Sequence, residues 1–163
     1  MLRKVLLIAL AAILVLPLFA GCKREAGPIK IGVELPLTGD YAYEGQGMLK
    51  SIQLLANQTN QAGGLLGRKV ELVVEDDAGD AGQASQVAQK LVDAGVIAVI
   101  GAYNSSATEP ASVIYNEAGI LHITPSSTAT RLTEKGFQRF FRVCFLDDRQ
   151  GLFAAKFLSL IHI

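Results

Sequence analysis

Short β-type runs alternate with stretches of helical periodicity over residues 29–143, and this alternation leaves the chain few folds. Residues 30–35 (KIGVEL) form a β-type run ended by Pro36. In residues 47–61, Met48, Ile52, Leu55 and Thr59 fall at spacings that keep one helix face buried. Ala62-Gly63-Gly64 stops that helix. Residues 69–75 (KVELVVE) read as a second strand. Asp80 caps the next helix, where Ala84, Val87, Ala88, Leu91 and Val92 make a continuous apolar stripe. Residues 96–100 (VIAVI) are apolar throughout, as suits a strand covered on both faces. A third helix at 107–118 places Ala111, Ile114, Tyr115 and Ala118 inward, and a fourth strand follows at 120–123. A longer loop, 124–136, leads to a fifth strand at 139–143.

Such alternation predicts a parallel sheet with helices on both faces. Right-handed crossovers reduce the topologies further. The expected fold is a doubly wound α/β lobe with strand order 2-1-3-4-5. Ligands on such sheets bind outside the carboxyl ends of the strands, near the topological switch. Three loops sit there: 36–44, 101–106 and 124–128.

Two of these loops are rich in hydroxyls. The third strand ends in Gly101-Ala102-Tyr103-Asn104-Ser105-Ser106, and the fourth in Thr124-Pro125-Ser126-Ser127-Thr128. A helix N-terminus with unpaired N–H groups attracts anions. Neither cluster contains Lys or Arg, and the nearest base in sequence is Arg131. A carboxylate held there would rest on dipoles and hydroxyls, each charge-assisted bond contributing about 1.5–3 kcal/mol. Taken singly, each cluster has an ordinary reading: Ser105 or Ser106 caps a helix, and 126–128 is a polar turn. Their coincidence at neighbouring strand ends favours a site.

The N-terminus reads as an export signal. Arg3 and Lys4 precede residues 5–20, which carry no charge. That run falls short of the ~20 residues a membrane span needs. It ends Leu18-Phe19-Ala20-Gly21-Cys22, which resembles a bacterial lipoprotein signal with Cys22 as the lipidated first mature residue. An ordinary cleaved signal with an incidental Cys is the alternative. Lipidation would anchor the chain at a membrane without spanning it. Residues 22–28 then form a polar tether, and the folded lobe runs over 29–156. Removing 1–21 takes two of the 15 bases and none of the 15 acids, so the mature chain has net charge 13 − 15 = −2. That balance gives no sign of a nucleic-acid partner.

Residues 29–151 resemble the first lobe of the branched-chain amino-acid-type binding proteins of bacterial ABC importers, the type I periplasmic-binding fold. The matching stretches are IKIGVELPLTGDYAYEGQG, NQTNQAGGLLGRKVELVVEDDAGD, VIAVIGAYNSSATEPAS and AGILHITPSSTATRLTEKGFQRFFRV. The resemblance implies a solute carboxylate held by Ser105, by backbone N–H at Ser126, and by Thr128, with Ser127 in the same cluster. Tyr103 and Asn104 flank the solute by the same match. An aromatic of the first loop stacks on the solute in the family; Tyr43 is nearest in type, while Glu44 holds the best-aligned position. Asp147 matches a polar position near the hinge. Some members carry a disulfide between the segments of Gly79 and Asn104, and neither is Cys here. The family delivers an amino acid, of branched-chain type by default, to ABC permease subunits, and it acts from the periplasm or cell surface. Short amides, urea-like solutes and aromatic acids are alternatives.

The resemblance stops near Lys156, so the chain is expected to be an N-terminal fragment whose second lobe is missing, with 157–163 a truncated or non-native tail. Other readings lead elsewhere. A sensing ectodomain on the same fold is the alternative function. An enzyme is not expected: no nucleophile elbow, phosphate loop or metal set is visible, and no cofactor is implied. GGLLGRK reads as a helix end and turn. Asp76, Asp77 and Asp80 read as a solvated strand end, Cys144 as a small hydrophobe, and His122 as a core or rim histidine.

Overall fold

The computed structural model describes residues 27–161; the export signal and Cys22 lie outside them. Five strands build one parallel sheet: β1 (Ile29–Leu35), β2 (Val70–Asp76), β3 (Ala98–Gly101), β4 (Leu121–Thr124) and β5 (Phe140–Arg142). Their order is β2-β1-β3-β4-β5, as the alternation implied. The helices are α1 (Ala42–Gln61), α2 (Ala81–Asp93), α3 (Ser105–Glu117), a short α4 (Arg131–Glu134) and α5 (Asp147–Leu160). Right-handed crossovers set α1 against one face and α2 with α3 against the other. No described helix is long and apolar enough to cross a membrane.

The main core lies under α2 and α3. Val87, Ala88, Leu91, Val96, Val99, Ala111, Tyr115 and Ile120 form one buried cluster. Asp80 caps α2 as expected, its carboxylate accepting the Gln83 N–H at 2.8 Å. Ala118, expected on the inner face of α3, is instead the exposed cap just beyond it. Thr108 and Ser112 are buried there, because the inner face of α3 also meets polar loops.

Two boundaries differ in ways that matter. The first helix starts at Ala42 rather than 47, so the preceding loop is shorter and Tyr43 and Glu44 are helical. Leu55, expected inward, is 64% exposed, because α1 covers the edge of the sheet and has nothing outside it. At the other end α5 continues through Phe157 to Leu160 without a break.

Candidate functional site

β3 and β4 are neighbours in register, with Ile100 opposite Ile123, so the loops after Gly101 and Thr124 emerge side by side. Gly101 is required there: its φ is +145°, and a Cβ would overlap the carbonyl of Glu34 on β1. The two loops are bonded directly. Ser126 donates its hydroxyl to the Tyr103 carbonyl at 2.7 Å, and the Ala129 N–H reaches Ser105 Oγ at 3.2 Å.

The hydroxyls divide into two groups. Thr124 donates to the Ala102 carbonyl at 2.8 Å and accepts the Ser127 N–H at 3.1 Å. Ser127 is buried, with Oγ 2.6 Å from Thr108 Oγ1 and 3.1 Å from the Tyr103 carbonyl. These alcohols hold the backbone together. Ser127 thus acts from beneath the rim, which departs from its expected place in the ligand shell. Ser126 has also committed its proton, which leaves its N–H as the group it can offer. Ser105 differs: its Oγ accepts from Ala129, so its own proton remains free. Thr128 has a partly exposed side chain, and neither its hydroxyl nor its N–H finds a partner among the described residues. Ser105 also opens α3, where the first N–H groups lack helical acceptors.

Tyr103 and Asn104 lie on this rim, half-buried. Asn104 stands at the cap position of α3 without a side-chain cap bond, and its buried Oδ1 has no partner. Tyr43 does not join them; it is 88% exposed on α1. The aromatic that meets the rim is Tyr41, whose ring centroid is 5.6 Å from that of Tyr103. Tyr41 precedes the helix, where the chain still faces the rim, and that earlier helix start is the signal sequence reasoning missed. Asp147 opens α5, and its N–H donates to the Thr128 carbonyl at 3.1 Å. Arg131 pairs instead with Glu109 at 2.9 Å.

Beneath the rim lies a buried set of ionisable groups. Tyr115 donates to Glu34 Oε2 at 2.7 Å, and His122 Nε2 contacts the Gly101 carbonyl at 2.6 Å. Burial pushes the Glu34 carboxyl up to about 8, against the Tyr115 hydrogen bond and with help from the charge of Asp77. Burial pulls His122 down to about 4 against its bond to Gly101. His122 stacks edge-on with Tyr115 and Phe140, a core histidine as expected. Of the acids at the end of β2, Asp80 is exposed as expected, but Asp76 and Asp77 are not simply solvated. Asp77 is fully buried, and Asp76 takes the N–H groups of Leu37 and Ala78 and the hydroxyl of Thr38 at 2.6–2.9 Å. Among the described residues no group of three metal-ligating side chains occurs.

The parallel sheet thus gathers free alcohols and amides at one strand-end rim. The chain belongs to the periplasmic binding protein family, whose match covers residues 28–159. It is 42% identical over 141 residues to the leucine-, isoleucine-, valine-, threonine- and alanine-binding protein of Pseudomonas aeruginosa, covering 86% of this chain and 38% of that protein. Its fold is similar to that of the branched-chain amino acid substrate-binding protein LivJ of Streptococcus pneumoniae, solved with isoleucine. There the TM-score is 0.71 and the identity 36%, over 74% of this chain and 34% of that one. For the leucine-binding protein LivK of Thermotoga maritima the TM-score is 0.73 and the identity 33%, over 80% and 36% of the two chains. The chain thus spans little more than a third of the length of the curated relative it matches.

Proposed function

We propose that this chain is the carboxylate-holding lobe of an exported, two-lobed solute-binding protein that captures an amino acid, of branched-chain type, for an ABC importer. The observation that carries the reading is the division of hydroxyls on the rim. Thr108, Thr124 and Ser127 are committed to backbone carbonyls or to one another, while Ser105 and Thr128 keep free donors on adjacent loops. With the N–H groups of Ser126 and Thr128 these donors form an anion cradle. Tyr103 and Asn104 border the solute, and Tyr41, rather than Tyr43, takes the aromatic place. Cys22 is the lipid anchor, with residues 1–21 removed as a signal and 22–28 serving as tether. The second lobe supplies the group for the ammonium and closes over the solute by hinge motion, the domain closure general to periplasmic binding proteins.

In the two-lobed protein, Ser105→Ala combined with Thr128→Ala abolishes leucine binding by calorimetry while circular dichroism shows the fold retained, with a melting temperature lowered by the loss of the acceptor for the Ala129 N–H. Undiminished leucine affinity in that double variant places the pocket elsewhere.

A further inference from the structure

A cation that bonds the second hydroxyl loop comes from the neighbouring strand β5, where Arg142 stands opposite Thr124. Arg142 on β5 donates Nη1 to the Ser127 carbonyl at 3.0 Å and Nη2 to the Ala129 carbonyl at 2.9 Å. Nη2 also meets Thr133 Oγ1 at 3.0 Å, so the fork is anchored on three oxygens. Cys144 Sγ approaches the same Ser127 carbonyl at 3.4 Å.

A trans peptide points its C=O and its N–H in opposite directions. The Ser127 carbonyl and the Thr128 N–H belong to one such peptide. A guanidinium that holds the carbonyl on the β5 side therefore turns the Thr128 N–H to the other side. There it meets no acceptor among the described residues. The next peptide is fixed at both ends, its carbonyl by the Asp147 N–H and its N–H by Ser105 Oγ. Around Thr128 the chain is thus held with one donor left over. The cation behind it also polarises that peptide in the sense that favours an anion in front.

We propose that Arg142 is the positioning residue for the carboxylate end of the site: its forked hold on the Ser127 and Ala129 carbonyls aims the Thr128 N–H at the solute and places a positive charge behind it. This rests on the functional reading above. Arg142 does not touch the solute; it acts through the loop. Its planar fork makes two directed bonds, which an ammonium on a flexible stem does not reproduce.

The test compares leucine with leucinamide, which lacks the carboxylate, on the two-lobed protein and its R142K and R142Q variants. Calorimetry is expected to show leucine affinity falling about ten-fold or more in R142Q and less in R142K, with leucinamide little changed. The preference for the charged solute then shrinks in the order parent, R142K, R142Q. A purely structural role weakens both solutes in parallel, and an unchanged preference in both variants overturns the proposal. If R142Q fails to fold, R142K carries the comparison. If the parent protein binds neither solute, the functional reading falls. Arg142 is then judged by amide exchange at Ala129, whose bond to Ser105 depends on the loop being held: faster exchange in R142K supports the hold, and unchanged exchange overturns it.

Discussion

Two polar regions lie a few residues apart at the strand ends, and they are built on opposite plans. Around Ala102, Tyr103 and Ser127 each of these backbone carbonyls has at least two donor groups within reach, from Thr108, Thr124, Ser126, Ser127, Arg142 and Cys144, with one of the Thr108 and Ser127 protons taken up between those two hydroxyls. Around Glu34 and Asp77, buried carboxyls keep one oxygen each without a partner. Hydrogen-bonded burial is nearly neutral or favourable, whereas an unpartnered buried polar atom costs about 1–3 kcal/mol. In the first region the carbonyls are satisfied, with only Asn104 Oδ1 and Arg142 Nε left unpartnered among the described residues, and the held backbone can present a fixed pattern of donors. The second stores unfavourable free energy and makes the lobe sensitive to pH.

The largest expected effect breaks this contrast through Glu34. Its folded pKa of about 8 exceeds the ordinary 4.5, so the folded state binds more protons between those values. Stability from this group is therefore full below pH 4.5 and declines up to pH 8, by at most roughly 5 kcal/mol. Asp77, raised by burial, acts in the same direction. His122 acts oppositely, because its folded value of about 4 lies below 6.5 and stability rises through that window. Glu34 and His122 oppose each other up to pH 6.5, and from 6.5 to 8 the Glu34 decline is no longer offset by His122. Chemical denaturation across that range shows the decline in the parent and its loss in Glu34→Gln. A flat parent profile from pH 6.5 to 8 removes the contrast.

A smaller effect comes from the satisfied side. Thr124→Val keeps the shape but removes the donor to Ala102 and the acceptor for the buried Ser127 N–H, and costs about 1–3 kcal/mol by the same denaturation assay. An equal cost for a hydroxyl deletion at exposed Thr38 would show that the distinction between the regions is not one of burial.

The smallest effect concerns Asp76, which ties the loops after β1 and β2 together. Burial lifts its carboxyl, but the Thr38 hydroxyl and three backbone N–H bonds outweigh that and hold it below the usual range. Asp76→Asn is expected to cost about 1 kcal/mol and to speed amide exchange at Leu37 and Thr38. Unaltered exchange there removes Asp76 from the clamp.

By itself the sequence determined the first three helices, the five strands with their order, and which loops meet at the strand-end rim, but not the short α4 within 124–136 or α5 at Asp147–Leu160. It also placed Asp80 on its helix and His122 in the core. These follow from periodicity, capping and crossover handedness, which act over a few residues or through a general rule of chain geometry. Only the tertiary structure decided which alcohols on that rim are free. Ser105 and Ser127 look alike in a hydroxyl-rich stretch; one keeps its proton because Ala129, 24 residues away, supplies the N–H it accepts, and the other is buried beside Thr108. Arg142 was hidden for the same reason, lying 15 residues from the carbonyl it holds. Tyr41, not Tyr43, meets Tyr103 because the helix begins at Ala42, earlier than its apolar stripe suggests. Hydrogen-bond partners are chosen by where strands place backbone groups in space, and that choice leaves no mark on local composition.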